Sequence, residues 1–188
     1  MTVYADGTLA TGDNDGTSWA NAHQGVVGLQ AAFDAVVDGN DTTIHVRNTF
    51  TLSGTGLTID VGGGSKTNNT WLYIIGCDGA TGNELTLGSY VLFDADSDSI
   101  GDPLVKIVDV DNVKVKHIHC YNNDTNNDTD HGFSVENTSA KYNYHFYNCK
   151  ASAVYDGFRI SSSNARSVVL ENCVIDSVIR FGVHDHGL

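Results

Sequence analysis

The apolar positions of this chain change rhythm once. Between residues 24 and 37, Val26, Leu29, Phe33 and Val36 or Val37 recur at three- and four-residue spacing, which predicts an amphipathic helix. The Thr17, Ser18 and Asn21 cluster marks its expected start and Gly39 its end. From Thr42 onward the pattern becomes short apolar runs broken by Gly, Asn, Asp and Ser, at 43–46, 57–61, 71–75, 105–110, 113–118 and 168–170. Each run suits one short strand, so a helix precedes a region built of strands.

The strands repeat. Aligned on cysteine, WLYIIGC (71–77), VKVKHIHC (113–120), YNYHFYNC (142–149) and SVVLENC (167–173) fall into one column in which each Cys closes a strand. Downstream of the last three lie HGFSV, DGFRI and FGVHD, whose Gly132, Gly157 and Gly182 are 25 residues apart. A repeat of that length, made of short strands and Asn- and Gly-rich turns, predicts a parallel β-helix whose equivalent residues stack as ladders roughly 4.8 Å apart. The rung at 113–120 breaks the column unless it slips by one, which places Val113, Val115, Ile118 and Cys120 inward.

The opening GDNDGTSWANAHQG (12–25), the helix after it, the strand at 42–46 and the repeated NC and DGF elements resemble the right-handed parallel β-helix family of pectate-lyase-like and phage tailspike-like proteins. The resemblance covers nearly the whole chain and implies an all-β, right-handed parallel β-helix of about five coils, with an N-terminal amphipathic helix capping its end. It divides the chain into a cap segment, 1–41, and a solenoid, 42–188, within one domain. A fold of this kind does not fix a function.

Composition sharpens this picture. The 188 residues hold 10 Lys and Arg against 23 Asp and Glu, a formal charge of -13, which disfavours nucleic acid as a partner. Of the 23 acids, 20 are Asp and three are Glu, and 17 Asn accompany them, a bias toward turns over helices. No run approaches membrane-spanning length, and the first residues lack the basic start and apolar stretch of a secretory leader. The four Cys, at 77, 120, 149 and 173, form no CxxC pair, and a ladder would align them in a line where zinc needs a tetrahedron. They read as small buried fillers, with Cys149 and Cys173 near enough in a stacked fold for a bridge in an oxidising setting.

Two places carry candidate chemistry. Asp94, Asp96 and Asp98, spaced by two, with Asp102 beyond, could converge on calcium, although Ser99 replaces the expected turn glycine and no bidentate Glu follows. In the glycine columns His131 and Asp156 stand one before the Gly, Arg180 two before, and Ser134, Arg159 and His184 two after. His131, Asp156, Arg159 and Arg180 are therefore the candidate catalytic group, where acid, base and cation could meet, although no second Asp stacks on Asp156 to complete a pair. Tyr142, Tyr144, Tyr147 and Tyr155 could stack on sugars, with at least one buried by inward alternation.

The leading expectation is a non-enzymatic, virion-type structural or attachment protein, such as a phage tail, fibre or capsid-decoration component made in the host cytoplasm. It would act as a homo-oligomer or larger assembly covering the C-terminal end of the solenoid, since bare strand edges are normally covered. The alternatives are a polysaccharide lyase or glycoside hydrolase of the β-helix class, and a secreted adhesin module binding cell-surface polysaccharide. No cofactor beyond calcium is expected.

Overall fold

The structure is a computed structural model and describes residues 1–37, 39–54, 56–60, 70–95, 103–122, 130–161 and 163–185. The strands among them are β1 (Thr2–Asp6), β2 (His23–Gln24), β3 (Thr42–Arg47), β4 (Phe50–Thr51), β5 (Leu57–Ile59), β6 (Leu72–Cys77), β7 (Val91–Asp94), β8 (Val105–Val108) and β9 (Val113–Lys116). They continue with β10 (Ile118–Tyr121), β11 (Phe133–Glu136), β12 (Lys141–Tyr147), β13 (Lys150–Ser152), β14 (Asp156–Ile160), β15 (Ala165–Glu171), β16 (Val174–Asp176) and β17 (Phe181–Asp185). One helix, α1 (Gly25–Asp34), lies between β2 and β3. All pairings between these strands are parallel, in three sheets ordered β15-β12-β9-β6-β3-β1-β2, β16-β13-β10-β7-β4 and β17-β14-β11-β8-β5. From β3 on, successive strands visit the three sheets in turn, in five triplets. The arrangement is that of a parallel β-helix-type fold.

Strand alternation makes the core. One inward ladder runs Ile44, Ile74, Val115, Phe146, Leu170 through the first sheet, and another runs Leu57, Val105, Phe133, Phe158 through the third, with Val183 in register after Phe158 but half exposed. Between the ladders Phe133 stacks on Phe158 at 4.9 Å, and Phe146 meets both rings edge-on. Corners are turned by single residues with left-handed backbone: Asn48 (φ 61°), His117 (φ 59°), Asn148 (φ 48°) and Asn172 (φ 53°) each separate a first-sheet strand from a second-sheet strand. Asn tolerates that conformation better than most side chains, which gives the Asn bias its structural meaning.

Several expectations are corrected. The helix is shorter than 24–37: its N-cap is Gln24, with no side-chain cap, and its C-cap is Ala35. Of its predicted stripe, Leu29, Phe33 and Val36 are buried, Val26 is partly so, and Val37 is exposed. The Thr17–Ser18–Asn21 cluster instead closes its own loop, with Thr17 bonded to Asp15 and the Asn21 amide to Ser18. The run at 113–118 is two strands, because His117 turns the corner; Val113, Val115, Ile118 and Cys120 are all buried. The four Cys accordingly do not share one ladder. Cys149 and Cys173 each follow a corner Asn, Cys120 lies within β10 opposite Ala151, and Cys77 ends β6 opposite Arg47. All four thiols are free. The segment ahead of the helix also contributes β1, which pairs with β3 along its whole length. Among the described residues no helix is long and apolar enough to cross a membrane.

Candidate functional site

The glycine column has a packing cause. A Cβ added to Gly132 would stand 2.6 Å from the Gly157 carbonyl oxygen, and one added to Gly157 would stand 2.6 Å from the Gly182 oxygen and 2.8 Å from Ile175 Cγ2. The chain passes too close to the next rung there for any side chain. Asp156, which opens β14, is fully buried. Arg180 Nε donates to its Oδ1 at 3.0 Å and Nη2 to its Oδ2 at 2.5 Å, and His184 Nδ1 lies 3.2 Å from Oδ2. His131 Nδ1 is 3.2 Å from the same oxygen but poorly directed, and makes no hydrogen bond. The Arg180 guanidinium also covers the Tyr155 ring at 4.5 Å.

Burial works to raise the Asp156 carboxyl, but the hydrogen bonds from Arg180 and His184 and the nearby cations outweigh it and hold it below the ordinary value. Burial first, then the Arg159 charge, pushes His131 down to about 4. Arg159 leans instead toward Glu136, 3.8 Å away, while pairing in register with Ser134 and His184. His131, Asp156 and Arg180 thus meet, with His184 as a fourth member, and Arg159 stands at the edge. A general acid or nucleophile must reach its substrate. Asp156 is sealed from solvent and committed to its donors, which suits it to anchoring Arg180 and His184.

Of the calcium candidates, Asp94 ends β7, opposite Thr51 and Tyr121, while Asp96, Asp98 and Asp102 lie outside the described residues. Among the described residues no group of three or more His, Cys, Asp or Glu could hold a metal. Of the four tyrosines, Tyr144 is buried, Tyr142 is exposed, Tyr155 lies under Arg180 and Tyr147 faces a groove.

That groove, of about 480 Å³, was not foreseen from sequence. It lies on the outer face of the seven-stranded sheet, where Lys116, Tyr147 and Glu171 form one outward ladder across β9, β12 and β15, with Lys114 and His145 beside it. Its wall is residues 84–87, part of a strap (78–90) that leaves β6, turns at Asp78 and folds back over the sheet. The strap is held at its start by Leu85 N–H to the Gly76 carbonyl at 3.0 Å. Farther on, Asn148 Oδ1 accepts from the Gly88 amide at 3.0 Å, while its Nδ2 donates to the Ser89 carbonyl at 3.2 Å.

These contacts aim Glu84 at the floor. It pairs with Lys116 and lies 3.2 Å from His117 Nε2, while Glu171 is 2.9 Å from His145 Nε2. Burial raises the Glu84 carboxyl, yet Lys116 and His117 together hold it below the ordinary value, so it is ionised at neutral pH. The Lys114 and Lys116 ammoniums lie 6.0 and 5.6 Å from the Tyr147 ring. Along the same face the ladder passes through Ile75 and His45 to Tyr4, where Tyr4 stacks on His45 at 5.4 Å and Trp19 meets Tyr4 edge-on at 4.9 Å. Sequence held two signals for the groove: two of its three Glu line it, and in β12 and β15 Tyr147 and Glu171 have outward parity.

Three parallel sheets and an external groove place the chain among β-helix-type proteins. No protein-family model matches it, and no curated protein matches it. Among solved structures, the native GH136 lacto-N-biosidase from Eubacterium ramulus aligns with a TM-score of 0.65 at 13% identity, over 98% of this chain and 36% of that one. The chain therefore spans little more than a third of that enzyme's length, and the likeness is one of fold. It supports a parallel β-helix-type fold and does not extend to a pectate-lyase-like or tailspike-like assignment.

Proposed function

We propose that this chain is a carbohydrate-binding β-helix unit of the glycoside hydrolase kind, with its ligand in the groove between the strap and β9, β12 and β15. The observation that carries the reading is the pair of carboxylates, Glu84 on the wall and Glu171 on the floor, facing one groove that also holds the Tyr147 ring. Carboxylates accept sugar hydroxyls, Lys114 and His117 supply donors, and an aromatic face stacks on the apolar face of a pyranose. Two carboxylates are also what hydrolysis of a glycosidic bond requires. Glu84, kept ionised by Lys116 and His117, suits the base or nucleophile, which leaves Glu171 as the candidate acid. The glycoside hydrolase neighbour points the same way at the level of fold.

The same reading takes the five strand triplets as five right-handed coils, the hand that parallel crossovers adopt, with α1 capping the first. An extracellular setting follows from a glycan ligand. The test is titration of lacto-N-biose, the sugar in the neighbour's name, with a panel of neutral and acidic oligosaccharides, followed by NMR shifts and product analysis. Glu84→Gln and Glu171→Gln should weaken binding and abolish any cleavage, and Asp156→Asn should leave both intact. A folded protein that neither binds nor cleaves any member of the panel would refute the proposal.

A further inference from the structure

Beyond Glu84 the strap is fastened by the Asn148 side chain, whose orientation in turn fixes the proton position of a histidine. Asn148 Oδ1 accepts the Gly88 amide, and Nδ2 donates to the Ser89 carbonyl at 3.2 Å and, more weakly, to the Thr86 carbonyl at 3.5 Å. Turning the carboxamide over would set its NH₂ against the Gly88 N–H and its oxygen against two carbonyls. Nδ2 is therefore the atom that faces His117 Nδ1, 2.6 Å away. An NH₂ group only donates, so Nδ1 must be the acceptor and carry no proton. The proton of the neutral ring then sits on Nε2, which donates to Glu84 Oε1 at 3.2 Å. One imidazole thus links the clamp on the strap to the carboxylate in the groove.

We propose that Asn148 and His117 form an acid-released latch: protonation of His117 Nδ1 sets a donor against the Asn148 NH₂ and unfastens residues 86–89, the part of the groove wall that follows Glu84. This rests on the groove being the binding site. The groups that face His117 divide as follows. Glu84 from the strap and the Ser89 carbonyl favour its charged form; burial and Lys116 on the adjoining strand oppose it, and the Tyr147 ring meets it edge-on at 5.8 Å. The opposing effects prevail, and its pKa lies below the ordinary histidine value. A proton on Nδ1 would compete with Asn148 for the Ser89 carbonyl, which loosens the clamp in either arrangement. The latch is closed at neutral pH and opens as pH falls below the usual histidine range.

Two ligand-free measurements on the intact chain test this apart from any sugar. Long-range proton–nitrogen NMR should show His117 as the Nε2–H tautomer at pH 7.5; the Nδ1–H tautomer would overturn the proposal. Amide exchange, corrected for its intrinsic pH dependence, should show Gly88 losing about fivefold protection as the His117 ring passes from neutral to protonated in its own NMR titration, the size of one net hydrogen bond. His117→Asn, which tolerates the left-handed corner, should abolish that pH dependence. Equal Gly88 protection with the ring neutral and protonated, or an unchanged pH dependence in the variant, would refute the latch. Lacto-N-biose titration at pH 7.5 tests the groove separately, so binding without pH-dependent exchange would sink the latch alone.

Discussion

The glycine column makes a graded prediction. At Gly157 an added methyl group meets the Gly182 carbonyl oxygen at 2.6 Å and Ile175 Cγ2 at 2.8 Å; at Gly182 its nearest neighbour is Ile175 Cδ1 at 3.4 Å. Ordinary van der Waals contact begins near that last distance, so Gly157→Ala forces the rungs apart by roughly 0.8 Å against a carbonyl that cannot rotate away, because its strand is paired in register with β14. Overpacking of this kind costs about 1–3 kcal/mol, offset in part by the roughly 0.4–1 kcal/mol gained when a glycine leaves the unfolded chain. Gly157→Ala should therefore lose about 1–2 kcal/mol, near 2–8 °C in Tm for a chain of this size, while Gly182→Ala should be neutral or slightly stabilising. Thermal and urea unfolding followed by circular dichroism at pH 7 would measure both. Equal losses at the two positions would refute the account, since sequence treats them as equivalent and only rung contact distinguishes them.

Further outcomes follow from the buried polar groups. Tyr144→Phe removes the hydroxyl that donates to the Val110 carbonyl at 2.8 Å and accepts from Asn137 at 2.9 Å, and should cost about 1–3 kcal/mol in urea unfolding. Arg180→Met leaves the Asp156 carboxylate buried with fewer donors and should cost roughly 1–3 kcal/mol, more than Asp156→Asn, in the same assay. Burial is the chief cause that lowers both His119 and His131 to about 4, so both are neutral in the folded chain, whereas they titrate near 6.5 when unfolded. Their contribution is complete above pH 6.5 and is lost as pH falls toward 4; stability should drop by a few kcal/mol over that window, and His131→Asn should flatten the slope measured by urea unfolding at stepped pH.

Much of the architecture could be read from residues alone because a stacked fold repeats its constraints. Gly132 and Gly157 recur because each passes too close to the next rung for a side chain, and Phe133 and Phe158 recur because inward positions form ladders. Even the displaced rung at 113–120 was visible, since Val113, Val115, Ile118 and Cys120 keep an inward pattern only if His117 drops out of the strand. The cysteine column misled because Cys, small and apolar, fits after a corner, within β10 or at the end of β6 equally well. Of the group expected around Asp156, His131 and Arg180 stand against it and Arg159 does not, and its burial depends on Arg180 and His184 closing over it from the next rung.

Alternation and period, then, determined which side chains point inward, which turn corners and which stack, because those are local constraints expressed once per rung. The groove was decided by tertiary structure alone. The strap has no periodic signature, and its course over the sheet is set by Asn148, which lies 60 residues from Gly88 in sequence yet within hydrogen-bonding distance once the coils stack. Whether Glu84 faces Glu171 or open solvent is settled by that contact and by Lys116 and His117, and no reading of residues one strand at a time brings those side chains together.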